Sequence, residues 1–156
     1  MADVALLRGV PFLSTLTDAQ LESLATRAED VPFAAGDEIL EQGKPNDRLY
    51  VIASGTLHAS RARAGRRILL GRLGAGNFFG ELSAFDPGPT TGGVRAITDG
   101  TMVRIRLAAL DEFAKSNPTA GVEIYRRLLE QVAHRLRESD ERASDLVTWG
   151  KLEPAD

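Results

Sequence analysis

The chain has 156 residues, 43% of them hydrophobic and 26% charged, with a formal net charge of -3, a balance that fits one soluble domain and excludes a bulk positive field calling for nucleic acid. It has no cysteine, which excludes disulfides and thiolate metal sites. No basic segment with an apolar signal core opens the chain and no apolar run approaches ~18 residues, so cytoplasmic residence without a membrane anchor is expected.

Residues 1–29 read as two short helices. The first centres on Ala5-Leu6-Leu7 and ends near Gly9-Val10-Pro11. Thr17 followed by Gln20 is a capping-box pattern, with Leu21, Leu24 and Ala25 at helical spacing behind it. From residue 30 the character changes. Val31-Pro32-Phe33, Gly36 to Leu40, and Leu49-Tyr50-Val51-Ile52 are short segments rich in strand formers, punctuated by Gly36, Gly43 and Gly55. Leu57 to Arg63 and Arg67 to Leu73 flank Ala64-Gly65, a hairpin turn. Short strands with regular glycine punctuation over residues 30–106 predict an antiparallel barrel or jelly roll. Arg61, Arg63, Arg66 and Arg67 cluster at the hairpin. They read as a docking patch for an acidic partner or as a solvated tip, and the absence of interleaved aromatics favours the tip.

The stretch FFGELSAFDPGPTTGGVRAIT from Phe78 is the most informative. Gly80 and a short apolar turn, Leu82 to Phe85, leave backbone N–H groups free to cradle an anion, with Glu81 among them as an acceptor. That combination suits a ligand carrying a phosphate and a sugar hydroxyl close together. Two strands follow around Asp99-Gly100, then a short helix from Leu107 to Phe113 that ends before Asn117-Pro118.

From Thr119 a long helix is expected to run to about Thr148. Val122, Tyr125, Leu129, Val132, Leu136, Ser139, Ala143 and Leu146 step by three and four, a heptad seam that implies a partner helix. Ile124 and Leu128 offer a second apolar face for the barrel. Arg135 and Asp140 flank the seam at positions that attract across a parallel pair of helices. A homodimer is expected through Tyr125, Leu129, Val132 and Leu136.

The Phe78 stretch resembles the phosphate-binding cassette of the cyclic-nucleotide-binding domains of catabolite-activator-type regulators and protein-kinase regulatory subunits. Phe79, Gly80, Glu81, Leu82 and Pro89 match its F-G-E-L and proline positions. Tyr50 to Leu57 resembles the family's Y-x-I-x-x-G-x-L strand, and the likeness covers about residues 6 to 147. It implies a mainly β fold with flanking helices: one domain over 1–156, with N-terminal helices at 1–29, a jelly-roll barrel at 30–106 containing the cassette at 79–91, C-terminal helices at 107–149 and a tail at 150–156. It also implies a regulatory role, with cAMP or cGMP as ligand and no required cofactor. Glu81 would hold the ribose hydroxyl and an arginine the cyclic phosphate. The arginine is missing. Counting from Glu81, and back from Thr98-Asp99, puts its position at Thr90, while Arg95 matches a basic residue inside the following strand. The pocket so read keeps its shape but has no guanidinium. Losing one side of an arginine–phosphate pair costs about 2–5 kcal/mol.

The long helix resembles the dimer helix of the catabolite-activator group, which places Ser139 and Asp140 where that group has base-contacting hydroxyls. Ser139 reads as a base reader or as a small seam residue, and Trp149 as a stacking cap on the base or as a partly buried helix end. That group's helix-turn-helix is not expected in the acidic stretch from Gly150 to Asp156. With five arginines against six acidic residues, the helix itself is no basic groove reader. His58 and His134 stand apart, so the clustered ligands of a metal-dependent barrel enzyme are not expected. Two readings stand. One is a module sensing a nucleotide through Gly80, Glu81, Leu82, Thr90, Thr91 and Ser139. The other is a degenerate, non-binding domain that acts as a homodimeric interaction or assembly module for an effector protein.

Overall fold

The computed structural model describes the backbone of residues 1–152 and the side chains of residues 1–144. Two short helices, α1 (Val4–Arg8) and α2 (Asp18–Ala25), are bridged by a 3-10 turn over Pro11–Leu13. The expected capping box starts α2. The Gln20 N–H donates to the Thr17 hydroxyl at 3.2 Å, and the Thr17 N–H donates back to Gln20 Oε1 at 2.9 Å, satisfying two of the free donors of the first turn.

Eight antiparallel strands follow: β1 (Ala28–Phe33), β2 (Glu38–Leu40), β3 (Arg48–Ser54), β4 (Leu57–Arg63), β5 (Arg66–Leu73), β6 (Phe78–Phe79), β7 (Gly93–Ala96) and β8 (Gly100–Arg106). They form two four-stranded sheets, β1-β8-β3-β6 and β2-β7-β4-β5. The mainly β fold with flanking helices is as expected, but the strands make a roll of two sheets rather than one closed barrel. The turn joining β4 and β5 holds Ala64 and Gly65 both at positive φ, +52° and +75°. Such a turn has the twist a two-residue hairpin needs.

The first sheet is buried on both faces, and β3 shows why. Leu49 and Val51 point into a core shared with the helices, while Tyr50 and Ile52 point into a second core between the sheets. Successive side chains on a strand alternate between faces. An uninterrupted Leu-Tyr-Val-Ile run is therefore what a strand between two cores requires. Tyr50 stacks on Phe79 with centroids 4.8 Å apart, fixing β6 against β3.

Three helices complete the chain: α3 (Leu82–Phe85), α4 (Leu107–Ser116) and α5 (Pro118–Leu152). Pro118 opens α5, a position where its missing N–H costs nothing. Ala120, Ile124 and Leu128 lie on one stripe of α5 and are buried against the N-terminal helices and the first sheet. This is the barrel-facing surface expected of Ile124 and Leu128. Val122, Leu129 and Leu136, seven residues apart, are 65%, 50% and 61% exposed.

Removing the Leu128 side chain should leave a cavity at the junction of helices and sheet. Leu128→Ala is expected to lower stability by about 2–5 kcal/mol, read from the midpoint of urea unfolding. A loss below about 0.5 kcal/mol would mean this stripe is not core.

Candidate functional site

Between β6 and β7 the chain turns sharply at Gly80, whose φ is +90°. A Cβ there would sit 2.3 Å from the carbonyl oxygen of Arg48 and 3.0 Å from Asn46 Nδ2, so only glycine meets both the dihedral and the close approach. Asn46 Nδ2 donates to the Arg48 carbonyl at 2.8 Å, holding the start of β3 under this turn. The turn delivers Glu81 inward, and its side chain is 1% exposed.

A buried carboxylate is destabilising unless it is paired, and α5 supplies the partners. Glu81 Oε1 accepts from Gln131 Nε2 at 3.2 Å and forms an ion pair with Arg135 Nη1. Gln131 Nε2 also donates to the Phe78 carbonyl at 3.0 Å. Among the described residues no group donates to Glu81 Oε2. Gln131 and Arg135 continue the stripe of Ala120, Ile124 and Leu128. The stripe thus changes from apolar to polar as α5 passes from the core to the site.

Around Glu81 lies a cavity of ≈ 410 Å³, within the range of roughly 300–1,000 Å³ typical of small-molecule sites. Its charged lining residues are Glu81, Asp86 and Arg135, and its apolar wall includes Leu40, Leu70, Leu73, Phe79 and Val94. The five cassette residues expected at a ligand site, Gly80, Glu81, Leu82, Thr90 and Thr91, all line it. Thr90 is already engaged. Its hydroxyl donates to the Glu41 carbonyl at 2.7 Å and its N–H to the Lys44 carbonyl at 2.9 Å. The N–H groups of Leu82, Ser83 and Thr91 meet no acceptor among the described residues. Arg95 lies outside this cavity, in a smaller one with Glu38 and Glu41, consistent with its reading as a strand residue.

The hollow was expected to hold no guanidinium, with Arg135 reserved for a partner helix. Instead Arg135 pairs with Glu81 of its own chain, because a carboxylate this deeply buried needs a counter-charge and Arg135 sits on the inward stripe. Ser139 is exposed on α5 and does not line the cavity. The side chain of Trp149 lies outside the described residues.

Of the seam residues, Leu129 and Leu136 are exposed and Val132 is half-buried. Tyr125 is turned toward its own chain. Its hydroxyl donates to Asp111 Oδ1 at 3.3 Å, and its ring meets Phe85 of α3 edge-on at 6.1 Å. Burial, with a lesser contribution from the Asp111 charge, pushes the Tyr125 hydroxyl up to about 12. Asp111 is in turn held below the usual carboxylate range, first by its hydrogen bond from Lys115. The one-turn helix α3 therefore touches α5 both at Tyr125 and, through the adjoining Glu81, at Arg135. Among the described residues no group of three or more His, Asp or Glu could hold a metal ion, and no helix is long and apolar enough to cross a membrane.

Arg135→Ala leaves Glu81 with one weak donor and should lower stability by about 1–3 kcal/mol. Adding Glu81→Gln should recover part of that loss, since the residual carboxylate is then gone. Urea unfolding of the two single variants and the double variant measures the coupling. Strict additivity would show that the pair does not form in solution.

The family model for the cyclic nucleotide-binding domain matches residues 30–117. The CRP-like cAMP-activated global transcriptional regulator of Mycobacterium tuberculosis (strain CDC 1551 / Oshkosh) is 37% identical over 128 residues, 81% of this chain and 55% of that protein. The chain thus spans about half the length of this curated relative. Among solved structures, the N-terminal domain of a transcriptional regulator from Streptomyces coelicolor A3(2) matches with a TM-score of 0.68 and 32% identity, covering 88% of this chain and 94% of that one. The Thermus thermophilus catabolite activator protein matches with a TM-score of 0.76 and 25% identity, covering 88% of this chain and 63% of that one. Sequence and fold agree, and the chain belongs to the cyclic nucleotide-binding domain family.

Proposed function

We propose that this chain is a regulatory module, not a catalyst, that senses cAMP, cGMP or a related nucleotide. It binds cyclic nucleotides weakly because Thr90 stands where the phosphate arginine is expected. The observation that carries the reading is the buried Glu81 at the wall of an apolar cavity, with Oε2 free of protein donors. A ribose hydroxyl donates to such an oxygen and satisfies it. The cAMP named for the mycobacterial relative supports the ligand class. The N–H groups of Leu82 and Thr91 serve the phosphate. The Thr90 hydroxyl, held by Glu41, does not, and Ser139 reaches a base only if α5 shifts or a second chain brings it near. A hydroxyl donating to Oε2 draws on the carboxylate charge that Gln131 and Arg135 hold through Oε1, so binding biases the seating of α5 against the roll.

A second reading is favoured by one observation, the exposed series Val122, Leu129 and Leu136 on α5. It is a non-binding domain that assembles as a homodimer through Tyr125, Leu129, Val132 and Leu136 and presents a surface to an effector protein. The dimer is compatible with both readings, whereas ligand binding separates them.

Calorimetry with cAMP and cGMP at millimolar concentration tests the first reading. Heat with a weak, saturable isotherm is expected, and its absence for both ligands, together with no thermal shift, leaves the assembly reading. Glu81→Gln should abolish binding, and Thr90→Arg should tighten it about tenfold or more. An unchanged affinity in Thr90→Arg would mean that position 90 does not face the phosphate.

For the dimer, size-exclusion chromatography of Leu136→Asp is expected to show a later-eluting monomer where the unaltered chain elutes as a dimer. Identical monomeric elution of both would remove the seam as an interface.

A further inference from the structure

The cavity's charge does not match a monoanionic ligand. Its charged lining residues are Glu81, Asp86 and Arg135, so the sum is one excess negative charge. Arg135 gives one Nη1–H to Glu81, so its charge is already balanced there, although its remaining N–H groups face the cavity. A phosphate that drew Arg135 away would leave a carboxylate that is 1% exposed without its counter-ion, which is strongly unfavourable. At the loop from Gly88 to Gly93 no lysine or arginine lines the wall. The Thr90 hydroxyl and N–H are both used by Glu41 and Lys44. Helix α3 is four residues long, too short to add an appreciable dipole for an anion. Asp86 is paired with no cation among the described residues and lines the same wall.

The free N–H groups of Leu82, Ser83 and Thr91 can donate to a phosphate but carry no full charge, and the other features suit a neutral molecule. Glu81 Oε2 offers lone pairs to donors, and a vicinal diol brings two. Leu40, Leu70, Leu73, Phe79 and Val94 provide an apolar wall for a flat ring.

Resting on the nucleotide-sensing reading of this site, we propose that its preferred ligand is an uncharged nucleoside, held through its vicinal hydroxyls by Glu81, rather than a cyclic monophosphate. Repulsion from the exposed Asp86, with the charge of Arg135 spent on Glu81 and no other cation on the wall among the described residues, sets the order of affinity.

Calorimetry of the full chain with adenosine, guanosine, 2′,3′-dideoxyadenosine, cAMP and cGMP tests this. Adenosine or guanosine is expected to bind at least tenfold more tightly than its own cyclic monophosphate, with no binding of the dideoxy compound. Asp86→Asn should tighten cAMP and cGMP severalfold while leaving the nucleosides unchanged, and Thr90→Arg should reverse the order. Cyclic monophosphates binding as tightly as nucleosides, or more tightly, would overturn this inference and leave the sensing reading standing. So would dideoxyadenosine binding as well as adenosine, or an Asp86→Asn variant with an unchanged ratio. Failure of every one of these compounds to bind would overturn both.

Discussion

The structure turns on one buried charge. Glu81 is placed at the end of β6 by a backbone turn that only glycine can make, and at 1% exposure it has almost no water. Such a carboxylate must find its partners within the protein. It finds them on α5, in Gln131 and Arg135. That requirement links the roll to the C-terminal helix by charge, beside the apolar packing of Ile124 and Leu128.

The same residue also faces the cavity. Structural pairing uses Oε1, and among the described residues Oε2 has no donor, which is where the proposed function puts a ligand hydroxyl. A group that both anchors a helix and accepts from a ligand couples the two by necessity, because redistributing its bonds changes how firmly α5 is held. Phe85 against Tyr125 gives α3 a second contact with the same helix. Under the proposed function no long relay separates cavity from helix, as Arg135 of α5 lines the cavity itself.

Much of the fold was legible because its signals are local. Thr17 and Gln20 form a capping box whatever surrounds them, and Ala64-Gly65 sets its hairpin turn through its own dihedrals. Leu49 to Ile52 announced a strand, and the family's glycines marked the turns. The cassette residues Gly80, Glu81, Leu82, Thr90 and Thr91 were found by likeness, and they line one cavity. The partition into two sheets was not legible, since it depends on which distant strands pair. The role of Arg135 was also missed. A heptad reading sorted α5 by apolar residues and assigned Arg135 to a partner helix. The available signal was the spacing Ile124, Leu128, Gln131, Arg135, one continuous inward stripe whose polar end must face something polar. Knowing what it faces needed the position of Glu81, which is remote in sequence.

The claim that Glu81 and Arg135 are joined in the free protein is open to direct observation. Nitrogen-detected NMR of the arginine side chains should show a guanidinium in restricted rotation besides that of Arg104, which Glu29 holds by two contacts. That signal should vanish in Glu81→Gln and in Arg135→Lys alike. If the Arg135 guanidinium, identified by its loss in Arg135→Lys, rotates freely in the unaltered protein and is unchanged by Glu81→Gln, the pair does not hold α5 to the roll.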